Sequence, residues 1–390
     1  MIREYEAQDL PPLAIYVHVP WCVRKCPYCD FNSHASSIED IPEAEFLARL
    51  KIDIEQDAPL AQGRKASSVF FGGGTPSLLS SQAIASIVEL LRTHIGLEAD
   101  AEVTLEANPG TFEAEKFRGF LKAGVNRLSI GVQSFQDEFL TTLGRIHTAD
   151  NAIAAIRQAK AVGFDNFNID LMHGLPNQNE QQALEDLKQA IALSPTHISW
   201  YQLTIEQNTE FYQQPPALPE DDTLWDIQQA GQALLKTEGF EQYEVSAYAK
   251  NSTKSQHNLN YWRYGDYLGV GPGAHGKVTS FENELIITRT RKTRLPKDYL
   301  NVDRPLVRLE EVVQQNDRAF DYFINLLRLR ESVDLKHFES ATGVPSSALQ
   351  PVLSELESKH WIQRNADSFS TTDAGFLYLN EVLSYWLPDS

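Results

Sequence analysis

The chain has 390 residues, 42% of them hydrophobic, enough for a large core divided among roughly two or three structural units. Lys and Arg number 34 against 53 Asp and Glu, a formal charge of −19, and a field of that sign repels phosphate backbones and anionic membranes, which excludes sequence-independent nucleic-acid binding. The opening MIREYEAQDLPPLAIYVHVP has no basic stretch leading into an apolar run, and no window reaches the roughly 20 apolar residues of a membrane span, so a cytoplasmic protein without a membrane span is expected.

Six segments read as buried strands, rich in β-branched and aromatic residues and closed by Gly, Pro or polar residues. They are LAIYVHVP (13–20), SSVFFGGG (67–74), AEVTLEANP (101–109), NRLSIGVQS (126–134), FNIDLMHGLP (167–176) and HISWYQLTIE (197–206). Helical patterns lie between them, among them SSQAIASIVELLRTHIG, FEAEKFRGFLKAG and NEQQALEDLKQAIALS, with Ser or Asn near the start and often Gly at the end. Strand and helix in alternation predict an α/β fold with a parallel sheet, either a barrel or an open doubly wound sheet.

Residues 207–222, QNTEFYQQPPALPEDD, read as a surface loop, followed by a helix over 223–238 and by YEVSAYAK. Residues 251–280 form an aromatic and Gly-rich block. From about 307 the pattern turns helical and closes with WIQRNADSFSTTDAGFLYLNEVL, a hairpin plus helix. Helices followed by such a hairpin resemble a winged-helix module, but the net charge opposes DNA binding, so a small helical cap on the barrel is the better-supported reading. The expected units are 1–245, the barrel with its cysteine loop; 246–305, a connecting segment; and 306–390, a mainly helical C-terminal domain.

In either parallel architecture ligands bind beyond the carboxyl ends of the strands. The cysteine-bearing WCVRKCPYCDFN (21–32), GGGTPS, EANP, GVQSF and DLMHGLP all fall there, so one mouth can gather them from 150 residues of sequence. Cys22, Cys26 and Cys29 are the chain's three cysteines, a poor disulfide framework and a good metal or redox cluster in a reducing compartment. A structural zinc would need a fourth ligand, with His18 and His34 as candidates. A thiol-exchange pair in CPYC would leave Cys22 unexplained. Three thiolates on a 4Fe-4S cluster would leave one iron open to an exogenous ligand.

YVHVPWCVRKCPYCDFNSH resembles the cluster loop of radical S-adenosylmethionine (SAM) proteins, and specifically of the coproporphyrinogen-dehydrogenase-like group that contains HemN and HemW. The resemblance implies a partial (β/α)6 barrel, a 4Fe-4S cluster on Cys22, Cys26 and Cys29, and SAM on the open iron. It places Gly73, Gly74 and Thr75 against the SAM aminoacyl group and gives Glu106 the ribose hydroxyls. Tyr16, Gln133, Arg145 and Asp170 match its remaining SAM-contacting positions. His173 and Asn177 depart from it, standing where relatives commonly carry Tyr and Gly. YEVSAYAK, HNLNYW, YLGVGPGAHG and LRLRESVD extend the similarity over nearly the whole chain.

Within the group, HemN-type enzymes carry a further cysteine two residues past the third, where this chain has Phe31. They also have a longer N-terminal arm, whereas 15 residues precede Tyr16 here. HNLNYW (257–262) matches the HNxxYW signature associated with haem in HemW. These features imply a haem chaperone that transfers haem to acceptor haemoproteins and draws on an electron donor for the cluster. The alternatives are an oxygen-independent coproporphyrinogen III oxidase of porphyrin biosynthesis and a regulatory iron-sulfur binder. No catalytic residue is assigned. His257 would supply the imidazole to haem, and Tyr261, Trp262, Tyr264 and Tyr267 flat contact area. The bland counterpart is a hydrogen-bonded histidine among aromatics that pack the mouth. In the basic island RTRKTRLPK (289–297), Arg289, Arg291, Lys292 and Arg294 offer partners for haem propionates, but a solvated edge is the better-supported reading. The oligomeric state, a homodimer included, stays open.

Overall fold

In the computed structural model the described residues are 10–111, 114–281 and 284–387. Most of the short N-terminal arm and the first residues of the helical segment 112–124 therefore lie outside them. All six expected strands are present, as β1 (Leu13–Val19), β2 (Ala66–Gly73), β3 (Leu97–Ala107), β4 (Arg127–Gln133), β5 (Phe167–His173) and β6 (His197–Gln202), each parallel to the next. The sheet is wider than the sequence predicts. Beyond β6 it adds β7 (Glu241–Glu244) and β8 (Ala247–Ala249), and before β1 it adds β9 (Asp266–Val270), β10 (His275–Phe281), β11 (Leu285–Lys292) and β12 (Val307–Val312). The order is β12-β11-β10-β9-β1-β2-β3-β4-β5-β6-β8-β7, with β9 parallel to β1 and the outer strands antiparallel.

Two segments differ from the sequence reading. Residues 307–312 carry helix formers, yet they complete the open ladder of β11, from Lys292↔Val307 to Thr288↔Val312; tertiary pairing outweighs propensity. The loop at 207–222 contains a single helical turn, Glu210–Gln213, capped by the Thr209 side chain.

Alternation along the parallel strands sorts the residues between two faces. Ile15, Val17, Val69, Phe71, Leu105, Ile130, Ile169 and Ile198 join one core with the helices α1 (Glu43–Asp57), α2 (Ser81–His94), α3 (Ala114–Lys122), α4 (Ala149–Val162), α5 (Glu180–Ala192) and α6 (Asp221–Thr237). α2 shows why the helices form where they do. Ser80 caps its start by accepting from the Ala83 N–H, and Ala83, Ile84, Ile87, Val88 and Leu91 bury one stripe. The alternate strand residues, Ser68, Glu102, Thr104, Ser129, Asn168, Asp170, His197 and Ser199, face the other way, so the lumen is polar where the helix side is oily. Ser129, Asn168, Asp170, His197 and Ser199 hydrogen-bond to one another, which makes their burial tolerable.

HNLNYW lies on α7 (Gln256–Trp262), a short helix capped by Ser255 and packed against β2 and β1. A second core gathers Tyr322, Phe323, Phe338, Leu353, Phe369 and Trp386 from α8 (Arg318–Leu326), α9 (Leu335–Thr342), α10 (Gln350–Ser358) and the last helical turns. The expected hairpin is β14 (Ile362–Arg364) with β15 (Ser368–Thr371), and β15 also pairs with β13 (Val333–Asp334), a helix-and-wing arrangement. Among the described residues no helix is long and apolar enough to cross a membrane.

Candidate functional site

The cysteine loop leaves the end of β1 and is tied down at four places. Trp21–Cys22 pairs with His34–Ala35 at its base. The Asn32 amide donates to the carbonyls of Pro272 and Arg294, both at 2.9 Å. The Phe211 N–H reaches the Pro27 carbonyl at 3.0 Å. The loop after β2 lies against the base, with Gly74 N–H to Val19 O and Thr75 N–H to Trp21 O, both 2.7 Å. That approach requires a glycine, since a Cβ on Gly74 would sit 2.6 Å from the Trp21 carbonyl oxygen. Gly73 has φ +109, and a Cβ there would enter the His18 ring at 2.4 Å.

Each of the three thiols is half-buried and free, and each has its own polar partner. The Thr75 hydroxyl points to Cys22 Sγ at 3.4 Å and the Arg145 guanidinium to Cys26 Sγ at 3.7 Å, while Ser33 Oγ lies 3.6 Å from Cys29 Sγ. Without metal, burial pushes the Cys22 thiol up. Donors to sulfur and a cation at Cys26 are what a set of thiolates on a metal cluster needs. A mononuclear zinc fits less well. His18 is occupied on both ring nitrogens, by the Tyr16 hydroxyl at 3.0 Å and the Asn32 carbonyl at 2.9 Å, and His34 bonds the Asn32 side chain at 3.1 Å.

The thiols open on a cavity of about 300 Å³. Gly73, Gly74, Thr75, Glu106, Gln133, Arg145 and Asp170, all singled out in the sequence, border it. Glu106 accepts from the Gly73 N–H at 3.3 Å, and burial, then the Asp170 charge, push its carboxyl up to about 8. Asp170 accepts from Asn168 at 2.7 Å and Ser129 at 3.0 Å. Arg145 donates to the Gly131 carbonyl at 2.6 Å and keeps a buried Nε–H without a partner. Sequence reasoning missed Tyr28 and Tyr201, which complete the wall. The Tyr201 hydroxyl donates to Gln133 at 2.7 Å. Its place in HISWYQ, two residues past Ser199 on the polar face, was the available signal.

Tyr16 borders a second cavity of about 390 Å³, which shares Phe31, Gly73 and Glu106 with the first and also meets His257, Tyr261 and Tyr267. The His257 ring stacks on Phe70 and meets Tyr261 edge-on, with ring centroids 5.1 and 4.8 Å apart. Its Nδ1 bonds Ser68 at 3.0 Å, and its buried Nε2 has no partner. Burial, with Arg127 second, holds it down to about 3, a neutral imidazole. The other two aromatics of the set lie elsewhere: Tyr264 donates to Asp321 at 2.6 Å, and Trp262 stacks under Arg328 at 4.6 Å, both at the C-terminal core. Tyr261 and Trp262 are consecutive on one short helix, so they cannot share a face.

The basic island is not one solvated edge. Lys292 is buried between Asp53 and Asp57, at 2.6 and 2.7 Å, and Arg289 pairs with Asp321, while Arg291 and Arg294 stay exposed. Lys292 points inward because strand alternation turns it, unlike Arg291, toward α1. Of the two departures, His173 packs on Trp200 with centroids 4.1 Å apart, and Asn177 takes φ +61, a left-handed conformation that Asn tolerates nearly as Gly does.

The sequence pattern of the radical SAM superfamily matches residues 16–190, and that of the HemN C-terminal domain residues 313–378. A Haemophilus influenzae protein named heme chaperone HemW is 50% identical over 384 residues, covering 97% of this chain and 99% of the relative. The chain belongs to the HemW family of radical SAM proteins. The heme chaperone HemW of Escherichia coli is 48% identical over 380 residues, with 97% and 99% coverage. Among solved structures, coproporphyrinogen III oxidase (HemN) of Escherichia coli matches with a TM-score of 0.82 over 97% of this chain and 90% of its own, at 23% identity, a likeness of fold.

Proposed function

We propose that this HemW-family chain is a haem chaperone: it holds a 4Fe-4S cluster on Cys22, Cys26 and Cys29, SAM in the adjoining cavity, and haem that it passes to acceptor haemoproteins. The carrying observation is three thiols, each with its own polar partner, converging on a cavity walled by the ends of successive parallel strands. Its context is a chain half identical to a relative named heme chaperone. When bound, the cluster supplies an open iron and an electron, and SAM the sulfonium that can receive it.

The protein's own residues bind and orient. Gly73 and Gly74 keep the β2 loop close to the sulfurs, and Thr75, Arg145 and Ser33 stabilise the thiolates. Glu106 and Asp170 present carboxylate oxygens to hydroxyl and ammonium donors of the ligand, and Tyr201 fixes Gln133. Tyr16, Tyr261 and Tyr267 offer flat surface beside His257. The partnerless Nε2 of His257 supports its role as haem ligand.

Anaerobic haem titration tests the reading. Wild type should take up haem with a defined absorption change, weakened or shifted in His257→Ala; unchanged spectra would remove His257 as ligand. The second reading, porphyrinogen oxidation, is favoured by the HemN-like fold and disfavoured by Phe31 in place of a fourth cysteine. Decarboxylated product from reduced protein, SAM and coproporphyrinogen III would overturn the chaperone in its favour.

A further inference from the structure

The polar lumen holds a buried side-chain path that joins the two cavities from beneath. It starts at Asp170, whose Oδ1 accepts from Asn168 Nδ2 at 2.7 Å. Because the Asn168 amide nitrogen is engaged there and with Ser129 Oγ at 2.8 Å, its oxygen is turned to His197 Nδ1, 2.7 Å away. An amide oxygen only accepts, so His197 carries its proton on Nδ1 and leaves Nε2 as an acceptor. The Tyr243 hydroxyl, 2.8 Å from Nε2, is then the donor, and its oxygen in turn accepts the Ser255 N–H at 3.3 Å. Ser255 is the cap of α7. Asn168, His197, Tyr243 and Ser255 are all buried. Burial, and secondarily Arg127, hold the imidazole neutral, and burial keeps the phenol protonated.

Every bond in the path runs in one direction, toward the Asp170 carboxylate. Chains of aligned hydrogen bonds polarise one another, and a break at any member strands two buried groups at once. At its far end the path meets a second carboxylate: Glu102 accepts from the Ser255 hydroxyl at 3.4 Å, the Gln256 N–H at 3.1 Å and the His257 N–H at 3.0 Å. The first turn of α7, and with it His257, therefore hangs from Glu102 directly and from Asp170 through three side chains.

We infer that His197 and Tyr243 are positioning residues, which set the Asp170 carboxylate in the first cavity and the seat of His257 in the second through one hydrogen-bond path. As a statement about ligands, this rests on the proposed function, with SAM at Asp170 and haem at His257. Neither residue borders either cavity, so an effect on both ligands would have to travel through the path.

The test compares Tyr243→Phe with Tyr248→Phe, a phenol equally buried nearby but outside the path. In cluster-loaded, full-length protein, Tyr243→Phe is expected to weaken SAM binding by about threefold to tenfold, the worth of one hydrogen bond, and to shift the haem absorption spectrum. Tyr248→Phe should change neither. His197→Gln, which can still donate and accept, should retain both properties, and His197→Phe should lose them. Histidine ¹⁵N NMR of the unliganded full chain should show His197 protonated on Nδ1 alone, and the His257 signals should move in Tyr243→Phe. Unchanged SAM affinity and haem spectrum in a folded Tyr243→Phe protein would overturn the inference, as would His197 protonated on Nε2. Should wild type take up no SAM, the proposed function falls, and the NMR arms still decide the path.

Discussion

Exchanging Glu106 for Gln should set stability against ligand binding, with a sign that depends on pH. The carboxyl has an ordinary value of 4.5 and is pushed up to about 8 in the folded chain, by burial first and by Asp170 second, with the Gly73 N–H opposing. Between those values the folded chain holds a proton that the unfolded chain has released, so folding stability falls as the pH rises from 4.5 through 8 and levels off above it. Each pH step in that window costs about 1.4 kcal/mol, roughly 5 kcal/mol across it. Glu106 borders the cavity, where water screens it, so about 2–4 kcal/mol is the expectation. A neutral amide escapes this loss. The gap in stability between E106Q and wild type should therefore widen in favour of the variant from pH 5.5 to pH 9, read as urea midpoints of the cluster-free chain. SAM affinity should move the other way. In wild type it should rise toward pH 8 as the carboxylate ionises, and in E106Q it should be weaker and flat. A stability gap that stays constant with pH would refute the buried, protonated Glu106.

Three further outcomes follow from the same geometry. Cys29→Ala removes one of the three sulfurs, and after anaerobic reconstitution its iron and sulfide content should fall to a small fraction of wild type; full loading would break the three-thiolate reading. Gly73→Ala must relieve both a positive φ and a 2.4 Å approach to His18, so it should lose about 1–3 kcal/mol by urea denaturation, with weakened SAM binding by dialysis. Lys292→Met leaves Asp53 and Asp57 buried together without their cation, a loss of about 3 kcal/mol at pH 7. Asp57 is already pushed up to about 6, mainly by burial and despite Lys292, so acid should protonate Asp57 and shrink the loss; a loss independent of pH would count against a buried ion pair.

Much of the barrel was legible because its signals are local. Six strands, the helices between them and the polar residues at the strand ends follow from alternation, caps and glycines within a dozen residues of one another. The clustering of three cysteines in one loop is likewise a property of the linear chain. So is the widely spread similarity that placed it in its family.

What the linear chain did not disclose are pairings between distant segments. β9 slots beside β1 although some 250 residues separate them, and 307–312 becomes a strand because β11 offers an open edge. Lys292 looked like one more surface cation until α1 supplied two carboxylates. HNLNYW read as one aromatic surface, but α7 turns Tyr261 toward a cavity and Trp262 toward the C-terminal core. Local pattern determines which backbone conformation a segment prefers and which residues share a face; only the packed fold decides what that face meets, because burial and hydrogen-bond partners depend on atoms far away in sequence.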